Sequence, residues 1–559
     1  MALEPSTPLL DAAASRAGDR AAVAGGDTWQ GLMERAAGHL ARGVIAAAGR
    51  GYGVRVAVLV GKGNNGGDGW AAARLLAAYG AQAWVLAPDG VDAEVSAEAA
   101  ASRERWRAAG GRTSSGTSDL DAALDWCDVA VDALLGTGVS GAPRGAAGEA
   151  AAALLAARER GTTVVACDVP SGVSSDDGSA PQGAVRADLT VTLGGLKRGL
   201  LLHPGAANAG RVVVGSLGAG YDPGPSSWAA LTPAGAAPPA YHAATDKRAR
   251  GAVLVVAGAV GTSGAAALAA RGALTAGAGL VTVATPEPVR AEVASHHPSA
   301  MVRGLPADEY GALSTEAVHA LPDLDAPGGA DVVAAGPGLG HGAGTAAVVT
   351  HLRRHGRRVV LDADAINVHR DDPSTLAEHS GALVLTPHQR ELARIGGGED
   401  GADAWEHRTE RVPQLARECD ATIVAKGPGT LVAAPDGRVW VTPIGSPALG
   451  SGGTGDALTG IVAAAVASAS DVPLAVARAV WWHAAAGVLA GRGRAGRATA
   501  TDLLDVLPWT LAALAEEATP APRPVGPAGG AGDTRARHAT GSRTTPGTLA
   551  WDRWLEALA

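Results

Sequence analysis

Twice along this chain, short bursts of β-branched residues alternate with alanine-rich stretches of helical length, and a segment dense in proline and glycine parts the two runs. Such alternation restricts the fold to parallel sheets with helices on both faces. In the first run Val54–Val60, Ala83–Leu86, Val129–Val131, Val164–Cys167, Leu189–Leu193 and Arg211–Val214 read as buried strands. In the second, Val253–Ala257, Leu280–Ala284, Val332–Ala335, Val359–Leu361, Leu383–Thr386, Thr422–Ala425 and Thr430–Ala433 do. Ala265–Ala276 and Gly455–Ala469 are helices by propensity. Tyr221–Tyr241 reads as an exposed connector. The Pro/Gly-rich stretch from about Thr519 reads as disordered, with one amphipathic turn at Trp551 and Trp554. A chain of 559 residues exceeds one core, so the expected plan is a domain over 1–220, a linker over 221–245, a second domain over 246–518 and a tail over 519–559.

Charge and composition narrow the function. A net charge of −9 gives no electrostatic footprint for nucleic acid. No unbroken apolar stretch reaches the roughly 18–20 residues of a membrane span, and the first residues lack the basic-then-apolar pattern of a secretory signal. Cys127, Cys167 and Cys419 lie far apart without a CxxC pair, which argues against a disulfide framework or a zinc site. A cytoplasmic protein is expected, without membrane or nucleic-acid partners, its oligomeric state (a homo-oligomer included) left open. Arginines number 42 and lysines four, and Lys62, Lys197, Lys247 and Lys426 all sit beside glycines.

The strand at Val54–Val60 runs into Gly61-Lys62-Gly63-Asn64-Asn65-Gly66-Gly67-Asp68-Gly69 and then a helix. A strand, a glycine-dense turn and a helix start present free backbone N–H groups to an anion, usually phosphate. A plain tight turn has the same glycines, but it does not require two asparagines and an aspartate, which add a general acid or base. Two more strand ends carry polar clusters, Asp132-Ala-Leu-Leu-Gly136-Thr137-Gly138 and Asp168-Val-Pro170-Ser171-Gly172. In open α/β sheets ligands bind beyond the carboxyl ends of strands, so the three clusters are expected to share one site. Singly, Asp132 and Asp168 also suit helix or turn caps.

KGNNGGDG, DALLGTG, DVPSG and LKRGLL, in this order, resemble the NAD(P)H-hydrate epimerase domain, or YjeF N-terminal domain. That resemblance implies a Rossmann-like three-layer α/β sandwich. It implies that Asn64, Asn65, Gly66, Gly67 and Asp68, with Gly136, Thr137, Gly138, Val139, Ser140, Gly141 and Ala142, hold the hydrate's phosphates and ribose. It further implies a potassium ion on Asn65, Asp132 and Ser171, and Asp168 against the damaged nicotinamide ring as acid/base, with Asp68 nearby.

In the second run Gly450-Ser451-Gly452-Gly453-Thr454-Gly455-Asp456 opens an alanine-rich helix. Stacked glycines there make an anion hole, and Asp456 at its mouth is placed to take a proton from a hydroxyl beside a phosphate. The alternative is an ordinary N-cap, which needs far less glycine. Gly336-Pro-Gly338-Leu-Gly340, Asp362-Ala-Asp364-Ala-Ile-Asn367, Thr386-Pro387-His388 and Lys426-Gly427-Pro428-Gly429-Thr430 each follow a predicted strand and are expected at the same sheet edge. Singly, Asp362 and Asp364 also suit caps, and KGPGT suits a hairpin.

Together these resemble the ribokinase-like ADP/ATP-dependent NAD(P)H-hydrate dehydratase, an α/β/α sandwich. By that resemblance Lys426, Gly427, Pro428, Gly429, Thr430 and Gly455 line the nucleotide site, and Ala265, Gly338, His388 and Asp456 face the hydrated dinucleotide. ADP or ATP with Mg2+ would phosphorylate the C6 hydroxyl, whose departure as phosphate restores NADH or NADPH. The expected chain is a bifunctional repair enzyme acting on hydrated NADH and NADPH. A kinase for a small alcohol, such as a thiamin-precursor kinase, would share the loop and Asp456. A first domain serving as a binding module, as in some RNA-decay scaffolds, would have no use for Asn65, Asp68, Asp132 and Asp168.

Overall fold

The computed structural model describes residues 5–138, 141–321, 329–396, 403–518, 551, 552 and 554. Two compact units are built on Pro8–Trp228 and Ala229–Pro522. The first nine strands are β1 (Ser6–Leu10), β2 (Arg55–Val60), β3 (Gln82–Ala87), β4 (Arg112–Ser115), β5 (Val129–Ala133), β6 (Thr163–Cys167), β7 (Leu189–Leu193), β8 (Leu196–Lys197) and β9 (Arg211–Gly215). Seven of them form one sheet in the order β4-β3-β2-β5-β6-β7-β9, parallel throughout. Because side chains alternate along a strand, Val56, Val58 and Val60 enter a core under the helices Trp29–Ala48 and Asn64–Ala78, while Ala57 and Leu59 enter the core on the opposite face. Burial on both faces explains why β2 reads as an unbroken apolar run.

In the second unit β10 (Trp228–Leu231), β11 (Ala252–Val256), β12 (Leu280–Pro286), β13 (Met301–Leu305), β14 (Val332–Ala335), β15 (Arg358–Leu361), β16 (Ala382–Leu385), β17 (Ala421–Ala425), β18 (Leu431–Ala433) and β19 (Val439–Val441) succeed one another. Their order is β13-β12-β11-β14-β15-β16-β17-β18-β19-β10, parallel from β13 to β17 and antiparallel from β17 to β19. The helices Ser263–Thr275 and Thr454–Ala467 cross with their backbones in contact: a Cβ on Gly460 would stand 1.9 Å from the Ala269 carbonyl oxygen. That approach, which only glycine permits, fixes the Thr454–Ala467 helix, and with it the glycine loop at its start.

Two expectations change. Within the supposed exposed connector, Trp228–Leu231 is a strand with Trp228, Ala230 and Leu231 buried. The Gly235 and Ala236 carbonyls just beyond it accept from Arg478 Nε at 2.9 Å and Trp482 Nε1 at 2.5 Å, so irregular backbone is satisfied without solvent. The strands β4 and β13 escape hydropathy reading because they are edge strands with little burial: β4 is polar throughout, and Arg303 and Gly304 interrupt β13. Most of the supposed tail lies outside the described residues; within it Trp551 and Trp554, read from sequence as an amphipathic turn, are helical and buried. Finally, the helix Val472–Gly491 is 20 residues long and apolar enough to cross a membrane by length and composition, with 67 % of its apolar window buried in protein. A core helix passes that test equally.

Two candidate active sites

In the first unit, a cavity of about 520 Å³ lies past the carboxyl ends of β2, β5 and β6, lined among others by Asn64, Asn65, Asp68, Gly136, Thr137, Gly138 and Asp168. The three sequence clusters therefore meet. The glycine-rich segment is not a loop throughout: the helix starts at Asn64 behind Gly63, which offers no side-chain cap. Asn64 to Asp68 are its first turn and more, with Gly66 and Gly67 buried rather than lining the cavity. Among the remaining expected contacts, Gly141 and Ala142 do not line the cavity, and Val139 and Ser140 fall outside the described residues.

Asp168 directly follows β6 with φ +64°, a left-handed backbone uncommon outside glycine and concentrated at functional sites. Its carboxylate accepts from Lys197 Nζ at 2.6 Å, Leu193 N at 3.0 Å and Thr192 Oγ1 at 3.3 Å. Lys197 is 1 % exposed and is further held by the Leu193 carbonyl. Burial, followed by the charges of Asp168 and Asp19, pushes Asp68 well above the usual carboxylate range. Two neighbouring carboxyls thus differ in setting, one salt-bridged and one favoured as the neutral acid. Asp19, raised by burial, and Tyr221 line the same cavity.

Asn65, Asp132 and Ser171 close up beneath, all buried. Ser171 donates to Asp132 through Oγ at 2.6 Å and N at 2.7 Å. Asn65 Nδ2 donates to the Leu135 carbonyl at 2.9 Å, and Leu135 N donates to Ser171 Oγ at 2.9 Å. Burial raises the Asp132 carboxyl above its ordinary value, and its described partners, Ser171 and Leu134 N, are neutral. No cluster of three or more His, Cys, Asp or Glu suited to a metal occurs among the described residues.

In the second unit Gly453, with φ +86°, is the N-cap of the Thr454–Ala467 helix, and no side chain caps its free N–H groups. Asp456 is the third helical residue, not the cap. Burial, then the Asp362 charge, pushes its carboxyl up to about 6. Lys426 Nζ, a ligand of Asp362 Oδ1 at 2.6 Å, lies 3.5 Å from where a Cβ on Gly455 would be. Asp362 Oδ2 accepts from Thr459 Oγ1 at 2.7 Å. The expected nucleotide residues Lys426 and Gly455 thus meet, with Gly427 to Thr430 forming a turn closed by Thr430 Oγ1 on the Gly427 carbonyl at 2.7 Å. His388 bridges to Lys426 across neighbouring strands and lies 3.2 Å from the buried Glu391 carboxylate. Ala265 and Gly338 are adjacent, a Cβ on Gly338 falling 3.1 Å from Ala265 Cβ.

A family model described as YjeF-related protein N-terminus matches residues 30–199, and one described as NAD(P)H-hydrate dehydratase matches residues 253–509. The bifunctional NAD(P)H-hydrate repair enzyme of Moorella thermoacetica is 38 % identical over 480 residues, covering 83 % of this chain and 88 % of its own. The chain belongs to the bifunctional NAD(P)H-hydrate repair enzymes. The Escherichia coli member is 34 % identical over 457 residues, covering 80 % of this chain and 84 % of its own. Among solved structures, the ADP/ATP-dependent NAD(P)H-hydrate dehydratase of Bacillus subtilis, co-crystallised with ATP and Mg2+, is 30 % identical, covers 50 % of this chain and 95 % of its own, and has a TM-score of 0.44. A repair enzyme of this family combines an isomerase and a lyase, and the two units each hold one candidate site.

Sequence reading missed the partners rather than the centres. Lys197 is marked by the scarcity of lysine and by the LKRGLL motif, but no spacing rule ties it to Asp168. Asp362 was visible in its motif, but its hold on Lys426 and Thr459 was not. Asp19 and Tyr221 carried no sequence signal.

Proposed function

We propose that the first unit interconverts the R and S hydrates of NADH and NADPH and that the second dehydrates the S hydrate with ADP or ATP, as a cytoplasmic repair enzyme. The observation that carries this reading is the pairing of two unlike acid–base settings: Asp168 clamped by Lys197 over the first cavity, and Asp456 beside Lys426 at an uncapped helix start. In the first site Asp68, its proton retained by burial, protonates the C6 hydroxyl, which leaves as water as the N1 lone pair forms the C6=N1 iminium; water then adds to the opposite face of C6, giving its proton to Asp168, from which it returns to Asp68. In the second, Asp456 takes the proton of the C6 hydroxyl as that oxygen attacks the terminal phosphoryl group. The helix N–H groups and Lys426 meet the charge that builds on phosphate. Phosphate then leaves with the C6 oxygen as the C5 proton is lost, regenerating the dihydropyridine.

One donor set fits an ion of this chemistry. Asp132 is buried without a cationic partner among the described residues, and with the Asn65 amide, the Ser171 hydroxyl and the Leu135 carbonyl it suits a hard monovalent cation such as K+. Mg2+ would enter the second site held mainly by nucleotide phosphates, the usual arrangement for that ion. Bound there, Mg2+ would neutralise charge on the transferred phosphoryl group.

The test is to supply an R/S mixture of hydrated NADH with ADP, Mg2+ and K+ and follow NADH absorbance. Complete conversion of both epimers is expected. A phosphorylated product accumulating without NADH would favour the small-alcohol kinase instead.

A further inference from the structure

The first cavity reaches well beyond the acid–base pair. Its sheet order, β4-β3-β2-β5-β6-β7-β9, places the change of winding direction between β2 and β5. In sheets of this order a dinucleotide lies across that point, with its pyrophosphate at the helix that follows the central strand. One nucleoside half then falls over the neighbouring strand on one side and the other half over the strands beyond the switch. Asp168 ends β6, on the second side. Asp89 stands two residues past Ala87, the end of β3, on the first. It follows Gly67 by 22 positions (89 minus 67), close to the spacing at which an acidic residue takes a ribose 2′-hydroxyl in dinucleotide-binding sheets.

Asp89 lines the same cavity as Asn64, Asp68 and Asp168. Its carboxylate is about one-quarter exposed, at 26 %, and lies 3.4 Å from Lys62 Nζ, whose side chain is 58 % exposed and also lines the cavity. The contact is looser than the 2.6 Å bond between Lys197 and Asp168, and Asp89 remains part of the cavity wall. A carboxylate there accepts from a sugar hydroxyl and repels a phosphate in its place, while its pairing with Lys62 occupies a cation that would otherwise favour a phosphate.

Resting on the epimerase reading of this cavity, we propose that Asp89 determines specificity: it receives the ribose 2′-hydroxyl of hydrated NADH and, with Lys62, disfavours the 2′-phosphate of hydrated NADPH. Nothing in the acid–base chemistry at Asp168 requires this residue, so the two functions separate.

The test uses the full chain and measures epimerisation of the R hydrates of NADH and NADPH separately. The wild-type protein is expected to have the larger kcat/KM for hydrated NADH. In Asp89→Asn, which keeps size and a hydrogen-bonding group but releases Lys62, the ratio should shift toward hydrated NADPH by a factor of about ten. The shift should arise in KM, lower for the phosphorylated substrate and higher for hydrated NADH, which loses its carboxylate acceptor; the factor is an order-of-magnitude expectation for removing one screened like charge. Asp89→Asn with Lys62→Ala should lose the gain, because the freed cation supplies it. A ratio unchanged by Asp89→Asn, or a wild-type preference for hydrated NADPH, overturns the assignment of Asp89 while leaving the epimerase intact. Absence of epimerisation of either substrate by the wild-type protein overturns the reading of the cavity itself, and the assignment with it.

Discussion

Replacing Asp456 by asparagine is expected to slow dehydration of the S hydrate by a factor of about 10² to 10⁴, the usual cost of losing a general base, while epimerisation stays near its wild-type rate. Asparagine preserves size and hydrogen bonding. A helix cap would tolerate it, since asparagine caps about as well as aspartate, but Asp456 lies inside the first turn and Gly453 is the cap. A variant retaining more than about half of the dehydration rate would therefore remove Asp456 from the chemistry, given the general-base range. The pH profile gives an independent reading. With Asp456 pushed up to about 6, mainly by burial, kcat/KM for dehydration should climb through about pH 6 and level above it, and the residual rate of the asparagine variant should lack that limb. The folded state binds this proton more tightly than the unfolded chain. Its stabilising contribution is therefore complete below the ordinary value of 3.8 and is lost as pH rises through about 6.

Asp168→Asn should lower epimerisation by a comparable factor of about 10² to 10⁴ without affecting the dehydration of pure S hydrate. The substitution also leaves Lys197, which is 1 % exposed, with the Leu193 carbonyl and a neutral amide in place of its carboxylate. Breaking a buried pair in this way costs about 3–5 kcal/mol, so the first unit should melt earlier as well. Lys197→Met, which removes the cation and fills its volume, separates the two effects: it should restore part of the melting temperature of Asp168→Asn when the two are combined, but none of the epimerisation. Recovery of epimerisation in the double variant would mean that Asp168 serves only to neutralise Lys197.

What could be read from the sequence followed burial. The central strands β2 and β6 of the first sheet and β11, β14 and β15 of the second carry apolar runs because helices cover both faces, and the strand ends exposed the aspartates and glycines of each site. The strand β4, Arg-Thr-Ser-Ser, has no such signature because one flank is unpaired and its side chains stay wet. The sites were legible where a motif sits on one loop and illegible where a partner comes from elsewhere. Lys197 reaches Asp168 from 29 residues away, through a turn that no periodicity announces. Asp89 likewise gains meaning only once β3 is seen beside β2. The Trp228–Leu231 strand was hidden by flanking prolines and glycines, which punctuate its ends without forbidding a short buried strand between them.

Two separate sites sharing a diffusible intermediate, the S hydrate, should complement one another in trans. The experiment is to mix the Asp168→Asn and Asp456→Asn proteins and supply the R hydrate of NADH with ADP, Mg2+ and K+. Each variant alone should yield little NADH in the time the wild-type protein needs to finish. The mixture should carry the R hydrate to NADH at a rate approaching that of wild type, because the Asp456 variant supplies S hydrate that the Asp168 variant consumes. A mixture no faster than the sum of its two components would mean that the two sites do not exchange the S hydrate through solution.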